Sequence, residues 1–393
     1  MRPAIHSLWI ASAATLLALA WQAATVHFNY KGNWTALFCI GDKSPMPPDL
    51  QAGAWIFDRS KGYDGQYYRV VAHDPWMRTE RRSFVDSRHR FDRILLPAAA
   101  WLVALGRQSW IDASYILLVL VSLFVGTWFT SMWALLENRA VWCGFGFLLL
   151  PGVVITLNRM TVDITEYACI AAALYFWRRE LWLGAWIAGA AAFLTRDLGL
   201  ILIAALVGMT LLRHAWRRAA WFATAAIPAA LWIFWVSVAI KSHPVAHPPM
   251  LALIPIWTFR TPLLGVFLAI ANPPNYPLAG WLKPATQWLD GISIAAVMIA
   301  ALATVREIRR RPFRLESSLC VLYAVLFLMT SARGFWIDTF SYPRAFTPLL
   351  GLVAWQSVNS VGAWAFLPWI CVLLRVGWQL GPQVIGIFHA VGG

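Results

Sequence analysis

Long apolar stretches separated by short arginine-bearing loops recur along the whole chain, with no alternation of period two inside them. The stretches cover residues 5–26, 111–135, 141–157, 164–177, 219–240, 287–305, 317–332, 345–358 and 362–379. The run 181–212 is too long for one helix, and Thr195-Arg196-Asp197 divides it into two short ones. Continuous apolar runs of this kind satisfy their backbone groups internally only as helices. The pattern therefore predicts an all-α, polytopic transmembrane helical bundle of about eleven spans. The run from Ile5 to Val26 is read as a span in preference to a cleaved leader, because it is longer than a leader's apolar region. Ile94 to Gly106 is too short to cross: a helix of that length rises roughly 20 Å against a hydrocarbon core of about 30 Å. It is expected to form an interfacial or re-entrant helix, with Pro97 in its first turn.

No internal repeat, low-complexity tract or separate soluble unit interrupts this pattern, so residues 1–393 are expected to form a single transmembrane domain. Its two long loops, 27–110 and 241–286, are both placed outside the cytoplasm by the charge pattern. The composition agrees, with 60% hydrophobic and 13% charged residues, which leaves too little polar surface to wrap a water-soluble core. A formal net charge of +14 would suit nucleic acid in a soluble protein. Here the basic residues gather in three short loops: Arg178-Arg179, the group from Arg213 to Arg218, and the group from Arg306 to Arg314. That is the positive-inside pattern of a multi-pass plasma-membrane protein, and nucleic acid is not an expected partner. Five scattered cysteines imply neither a disulfide framework nor a zinc site. His243 and His247 are flanked by Pro244 and Pro248, which forbid the regular helix that would bring them onto one face.

Placing the three basic loops in the cytoplasm puts Asp64, Asp74, Arg159, Asp163, Arg196, Asp197, Arg333, Asp338 and Arg344 on the opposite face. Charges cost less at helix ends than at mid-membrane, and for any one of these residues that is explanation enough. Taken as a set, they predict an outward-facing polar cavity. The Pro-rich loop 241–286, with Trp257, Tyr276 and Trp281, is read as an interfacial aromatic belt.

The densest chemistry lies in the first loop, in Gly62-Tyr63-Asp64-Gly65-Gln66-Tyr67-Tyr68, then His73-Asp74-Pro75, then Arg90-Phe91-Asp92-Arg93-Ile94-Leu95-Leu96-Pro97. These phrases resemble the first-loop signature of bacterial integral-membrane glycosyltransferases of the GT-C superfamily. Phe193 to Leu200 and Tyr342 to Leu349 resemble later landmarks of the same group. The resemblance implies an enzyme that moves a sugar from a polyprenyl-phosphate carrier to a glycan or lipid acceptor at the extracytoplasmic face. It implies that Asp64 matches the usual catalytic acid/base position and that Asp163 is the nearest match to a helix-end acid. The chain lacks the sizeable soluble domain that ends many members, and its first loop carries one compact acidic motif where some relatives have an Asp pair.

The residue types suit that chemistry. A hydroxyl acceptor must lose a proton as it attacks, and a placed carboxylate such as Asp64 can take it. Gly62 and Gly65 permit a tight turn there, while Tyr63, Gln66 and Tyr67 offer ring faces and hydrogen-bonding groups for a sugar. A plain Asp-Gly turn with interfacial tyrosines is the competing account. A lipid-phosphate leaving group calls for planar, permanently charged donors, and Arg196, Arg344 and Arg159 are the candidates, in that order. Each could instead pair with a neighbouring acid, Arg196 with Asp197 or Arg159 with Asp163. With arginines to neutralise the phosphate, neither a metal nor another cofactor is required. Two other functions compete: a secondary transporter or lipid flippase, against which the lack of a repeat and of a mid-span acid argues, and a non-catalytic partner in an envelope-polymer assembly. Glu166, about one turn inside a helix, comes closest to a mid-span acid.

Overall fold

The structure, a computed structural model, describes residues 2–241, 261–310, 313–357 and 363–392. His243, His247 and Trp257 lie outside the described residues. Within them the chain is almost wholly helical, and its only strands are a two-residue parallel pair, Ile40–Gly41 beside Ile56–Phe57. The principal helices are α1 (Arg2–Tyr30), α2 (Asp64–His73), α3 (Leu95–Val103), α4 (Gln108–Leu136), α5 (Pro151–Arg159), α6 (Asp163–Arg178) and α7 (Trp182–Thr195). They continue as α8 (Gly199–Leu212), α9 (Ile227–Lys241), α10 (Leu282–Arg310), α11 (Leu315–Met329), α12 (Ser341–Ser357), α13 (Leu367–Trp378) and α14 (Gly381–Gly392).

Over their described residues the apolar runs of the sequence are mainly helical, some of them broken, and the helices differ in length. Four stretches are long and apolar enough to cross a membrane: Ile5–Tyr30, Gln108–Leu136, Trp216–Ile240 and Leu282–Arg310. The number rises to six if two bent pairs each count as one: Val141–Phe147 with α5, bent by 52°, and Trp364–Trp378 with Gly381–Ala390, bent by 54°. Helices α7, α8 and α11 are apolar but shorter. Pro151 begins α5 at a position where its missing N–H costs nothing, which explains the first break.

Burial does not follow the usual inside-out rule. Helix α4 buries Ile111, Tyr115, Val119, Leu123 and Gly126 against its neighbours, yet leaves Leu117 and Val121 exposed on its other side. Leu16 on α1, Leu231 and Phe234 on α9 and Leu302 on α10 are likewise exposed. A helix that is apolar on every side is compatible with a lipid neighbour. Close packing relies on small side chains: Gly126 leaves room for the Phe147 ring, and Ala185, Ala188, Gly189 and Ala192 on α7 are buried.

The first loop is ordered by its own helices. Helix α2 is fastened to the start of α4 by Arg69, which bonds both oxygens of Asp112 at 2.8 to 3.0 Å, and by His73, which bridges Asp112 at 3.0 Å and Gln108 at 2.7 Å. At the other end of α2, Gly65 presses on the last turn of α5. A Cβ there would intrude on the Arg159 carbonyl oxygen. These two attachments fix where Asp64, the first residue of α2, can sit.

Candidate functional site

Asp64 is the first residue of its helix, and no side chain caps that end. One of its carboxylate oxygens accepts from Arg90 at 2.8 Å and the other from Arg344 at 2.9 Å. Arg344 also reaches Asp163 at 3.2 Å, and the second oxygen of Asp163 accepts from Arg196. The residue after Arg196, Asp197, takes a 2.7 Å bond from Arg93, which lies three positions beyond Arg90. Ion pairs and two short stretches of backbone therefore close a ring: Asp64, Arg344, Asp163, Arg196, Asp197, Arg93 and Arg90. Four segments contribute to it: the first loop, the start of α6, the α7–α8 turn and the start of α12.

The ring is packed rather than open. Its side chains are nearly buried, with 16% exposure for Asp64, 6% for Arg344 and 1% for Asp163, and only Asp197, at 44%, reaches the surface. Charges out of water persist only when paired and hydrogen-bonded, and the alternation of signs meets that condition. Burial alone would raise the Asp64 pKa, but the Arg90 and Arg344 guanidiniums overcome it and hold the carboxyl well below the usual carboxylate range. Asp64 is therefore ionised, and while doubly clamped it is a weak base.

No family model matches the chain, and neither a curated protein nor a solved structure matches it.

Around the ring, the residues singled out from sequence take distinct places. Tyr63 lies with its ring under the Arg344 guanidinium, 5.0 Å away, and its hydroxyl 3.5 Å from Asp338. Burial raises its pKa well above the usual phenol value, so the hydroxyl is a neutral donor. Tyr67 lies 5.3 Å from the Arg90 guanidinium. Gln66 is turned into the loop, where it accepts from the Gly41 amide at 3.1 Å and donates to the Lys61 carbonyl at 2.8 Å. Arg159 pairs with no carboxylate among the described residues: it meets the Cys39 thiol and lies 5.2 Å from the Phe340 ring. Neither sequence-neighbour pairing forms, since Arg196 takes Asp163 in place of Asp197 and Arg159 stays outside the ring. Two charges assigned to the same face serve other purposes. Asp74 caps the turn at Arg78 and Thr79, and Arg333 donates to the Asn272 carbonyl.

Sequence reasoning placed Asp338 on the outward face and quoted Arg90 and Arg93 in the first-loop motif, but named none of these, nor Asp86, as a site residue. Arg90 is held by Asp86 at 2.9 and 3.1 Å as well as by Asp64, and Arg93 donates to the Tyr68 hydroxyl at 2.9 Å. Their signal was the Arg-Phe-Asp-Arg phrase itself: spaced by three, Arg90 and Arg93 lie on one side of the short helix His89–Asp92 and its exit. Glu166, one turn along α6 from Asp163, is buried 3.8 Å from Arg196, and neither of its oxygens has a hydrogen bond. No group of three metal-ligating side chains capable of holding a metal occurs among the described residues.

Proposed function

We propose that this chain is an integral-membrane glycosyltransferase of the plasma membrane. In this reading it takes a sugar from a polyprenyl-phosphate carrier and passes it to a hydroxyl of a cell-envelope glycan or lipid at the extracytoplasmic face. The single observation that carries the reading is the junction of Asp64 with helix-end arginines from distant parts of the chain. A carboxylate able to accept a proton and cations suited to phosphate meet at one place, at the end of the molecule opposite the basic loops. In this reading the bent pairs and short apolar helices, together with α6 and α12, make up the rest of an eleven-span bundle of the GT-C kind, with residues 27–110 and 241–286 outside.

In the proposed reaction the acceptor oxygen bonds to the anomeric carbon as the carbon–oxygen bond to the carrier phosphate breaks. The hydroxyl proton passes to Asp64, and the bonding pair leaves with the phosphate. Asp64 needs one of its guanidiniums to let go before it can serve as a base of useful strength. An incoming phosphate is an anion that competes for Arg344, and this competition would couple donor binding to the basicity of Asp64. Tyr63 and Tyr67 offer ring faces beside the carboxylate for the sugar. Arginine–phosphate pairing supplies the electrostatic stabilisation of the leaving group, so the mechanism calls on no cofactor.

The test is sugar transfer by the purified protein in nanodiscs, supplied with a panel of polyprenyl-phosphate sugars and membrane glycolipid acceptors. Asp64→Asn should lower the rate roughly 10² to 10⁴-fold in protein that still folds and binds donor, with a lower unfolding temperature because Arg90 and Arg344 lose the carboxylate they share. Transfer by Asp64→Asn at the wild-type rate would sink the assignment.

A further inference from the structure

One buried acid beside the ring has no counter-charge of its own. The ring and Asp86 balance without it: Arg90, Arg93, Arg196 and Arg344 are bonded to Asp64, Asp86, Asp163 and Asp197, four cations to four carboxylates. Glu166 is a fifth carboxyl, 1% exposed, and neither of its oxygens has a hydrogen bond. The Arg196 nitrogen that stands 3.8 Å from it is the same one that Asp163 holds. An ionised carboxylate in that position would be buried, unbonded and surplus to the local charge balance, whereas the neutral acid meets none of those penalties in full.

The surroundings also hold what the ionised form would need. Tyr323 on α11 faces Glu166, and its hydroxyl is buried without a hydrogen bond, as is Nε of Arg196. Both can donate to a carboxylate, and the neutral acid can instead donate its own O–H to the Tyr323 oxygen. The other titratable groups around Glu166 are Asp163, Tyr167 and Cys169 on α6, Asp197 in the α7–α8 turn, Arg93 of the first loop and, bonded to Asp163, Arg344 of α12. Of the remaining neighbours, α4 carries Tyr115, bonded to the Met160 carbonyl, and Asp112, held by Arg69, while α5 carries Arg159, which meets Cys39. None of these reaches Glu166 with a hydrogen bond.

We propose that Glu166 is a proton-binding site inside the bundle and that its proton selects the partner of Arg196. With the proton in place, Glu166 is neutral and Arg196 stays on Asp163. When the O–H bond breaks, the proton passes to water entering at Asp197, the ring residue that reaches the surface, and the bonding pair stays on the carboxylate. The new carboxylate draws the Arg196 fork and the Tyr323 hydroxyl to itself. Asp163 then depends on Arg344 alone, and Arg344 has less to give Asp64. The proton at Glu166 thus reaches Asp64 through two ion pairs, whatever reaction the bundle performs.

The test is infrared difference spectroscopy of the purified full-length protein in nanodiscs at about pH 7, which reads the carbonyl band of a protonated carboxylic acid directly. Wild type should show such a band, shifted in heavy water and missing from Glu166→Gln, a variant that keeps the shape and neutrality of the acid. Tyr323→Phe should move the band to the position of an acid without a hydrogen bond. Asp163→Asn frees Arg196 and leaves four cations to four carboxylates with Glu166 among them, so there the band should vanish. Identical spectra for wild type and Glu166→Gln overturn the proton site. A band that survives in a folded Asp163→Asn overturns the exchange of partners. If Asp163→Asn does not fold, a wild-type pH titration decides: loss of the band on raising the pH should bring a tyrosine band shift that Tyr323→Phe lacks, and loss without that shift overturns the exchange. No sugar donor enters these measurements, so their outcome is independent of the glycosyltransferase reading.

Discussion

At the scale of single residues, the charges around Asp64 are not equally well served, and Asp92 is one of the poorly served ones. Its Oδ1 is buried without a hydrogen bond, and Arg88 stands 3.8 Å away, turned instead toward Ser237 and the Ile233 carbonyl. Burial pushes the Asp92 carboxyl up to about 6, with Arg88 and Arg93 only partly opposing it. A carboxyl whose folded pKa exceeds its unfolded one binds more protons in the native state between the two values. Stability is therefore present below the unfolded pKa of about 4 and is lost as pH rises toward 6. Asp64 works in the opposite sense: its depressed pKa contributes stability above the unfolded value, lost only as pH falls far below it. Removing the Asp92 charge should accordingly stabilise the protein at neutral pH. Asp92→Asn is expected to unfold at a higher temperature than wild type at pH 7.5, by an amount worth on the order of 1–2 kcal/mol, and the gain should shrink at pH 4.5. An equal difference at both pH values would show that the buried carboxylate is not its source.

At the scale of elements, what could be read from sequence and what could not follow from the range of the forces involved. The helices were legible because their apolar runs are continuous, and the break at Thr195-Arg196-Asp197 falls where α7 ends and α8 begins. The tight turn at Gly62, with φ at +69°, was legible for the same local reason, whereas the helix that starts at Asp64 was not expected. Partners were not legible. Arg344 meets Asp64 across 280 positions and Asp163 across 181, and nothing local in the Tyr-Pro-Arg phrase says which acid it will take. Adjacent charges suggested Arg196 with Asp197, but successive residues at a helix end point in different directions, so the two serve different neighbours. Gln66 shows the converse, since its place in a conspicuous motif suggested a ligand contact while its amide is spent on holding Gly41 and Lys61 together. The contact between α2 and α5 gives this scale its prediction. Gly65→Ala places a methyl group against the Arg159 carbonyl oxygen and close to that of Phe38, and backbone cannot yield as a flexible side chain can. The expected cost is about 1–3 kcal/mol of stability, visible as a lower unfolding temperature. A variant with wild-type unfolding temperature would mean that α2 can shift freely on α5.

For the whole molecule, the unequal helix lengths decide where the charged ring sits. Helices α4 and α10 run for 29 residues, about 43 Å, whereas α7 and α8 run for 14, about 21 Å. Placed in a hydrocarbon layer of about 30 Å, the longer helices reach past both surfaces and the shorter pair does not. If the arginine-rich ends of α6 and α8 lie at the cytoplasmic surface, the Arg196-Asp197 turn stops short of the opposite one. The ring then lies below that surface, packed among its own partners and joined to the first loop through Asp64, Arg90 and Arg93. This placement does not require α7 and α8 to cross fully, because a hairpin that enters and returns leaves its two ends on one side just as two short spans do. The orientation is therefore the quantity to measure. In a version with Cys39, Cys143, Cys169, Cys320 and Cys371 replaced, single cysteines at Ser60, Glu180 and His214 would be exposed to an impermeant maleimide in intact cells. Ser60→Cys should label from outside, while Glu180→Cys and His214→Cys should label only after the membrane is opened. Labelling of all three from outside would place the basic loops and the first loop on one side, and the orientation on which the proposed chemistry rests would fail.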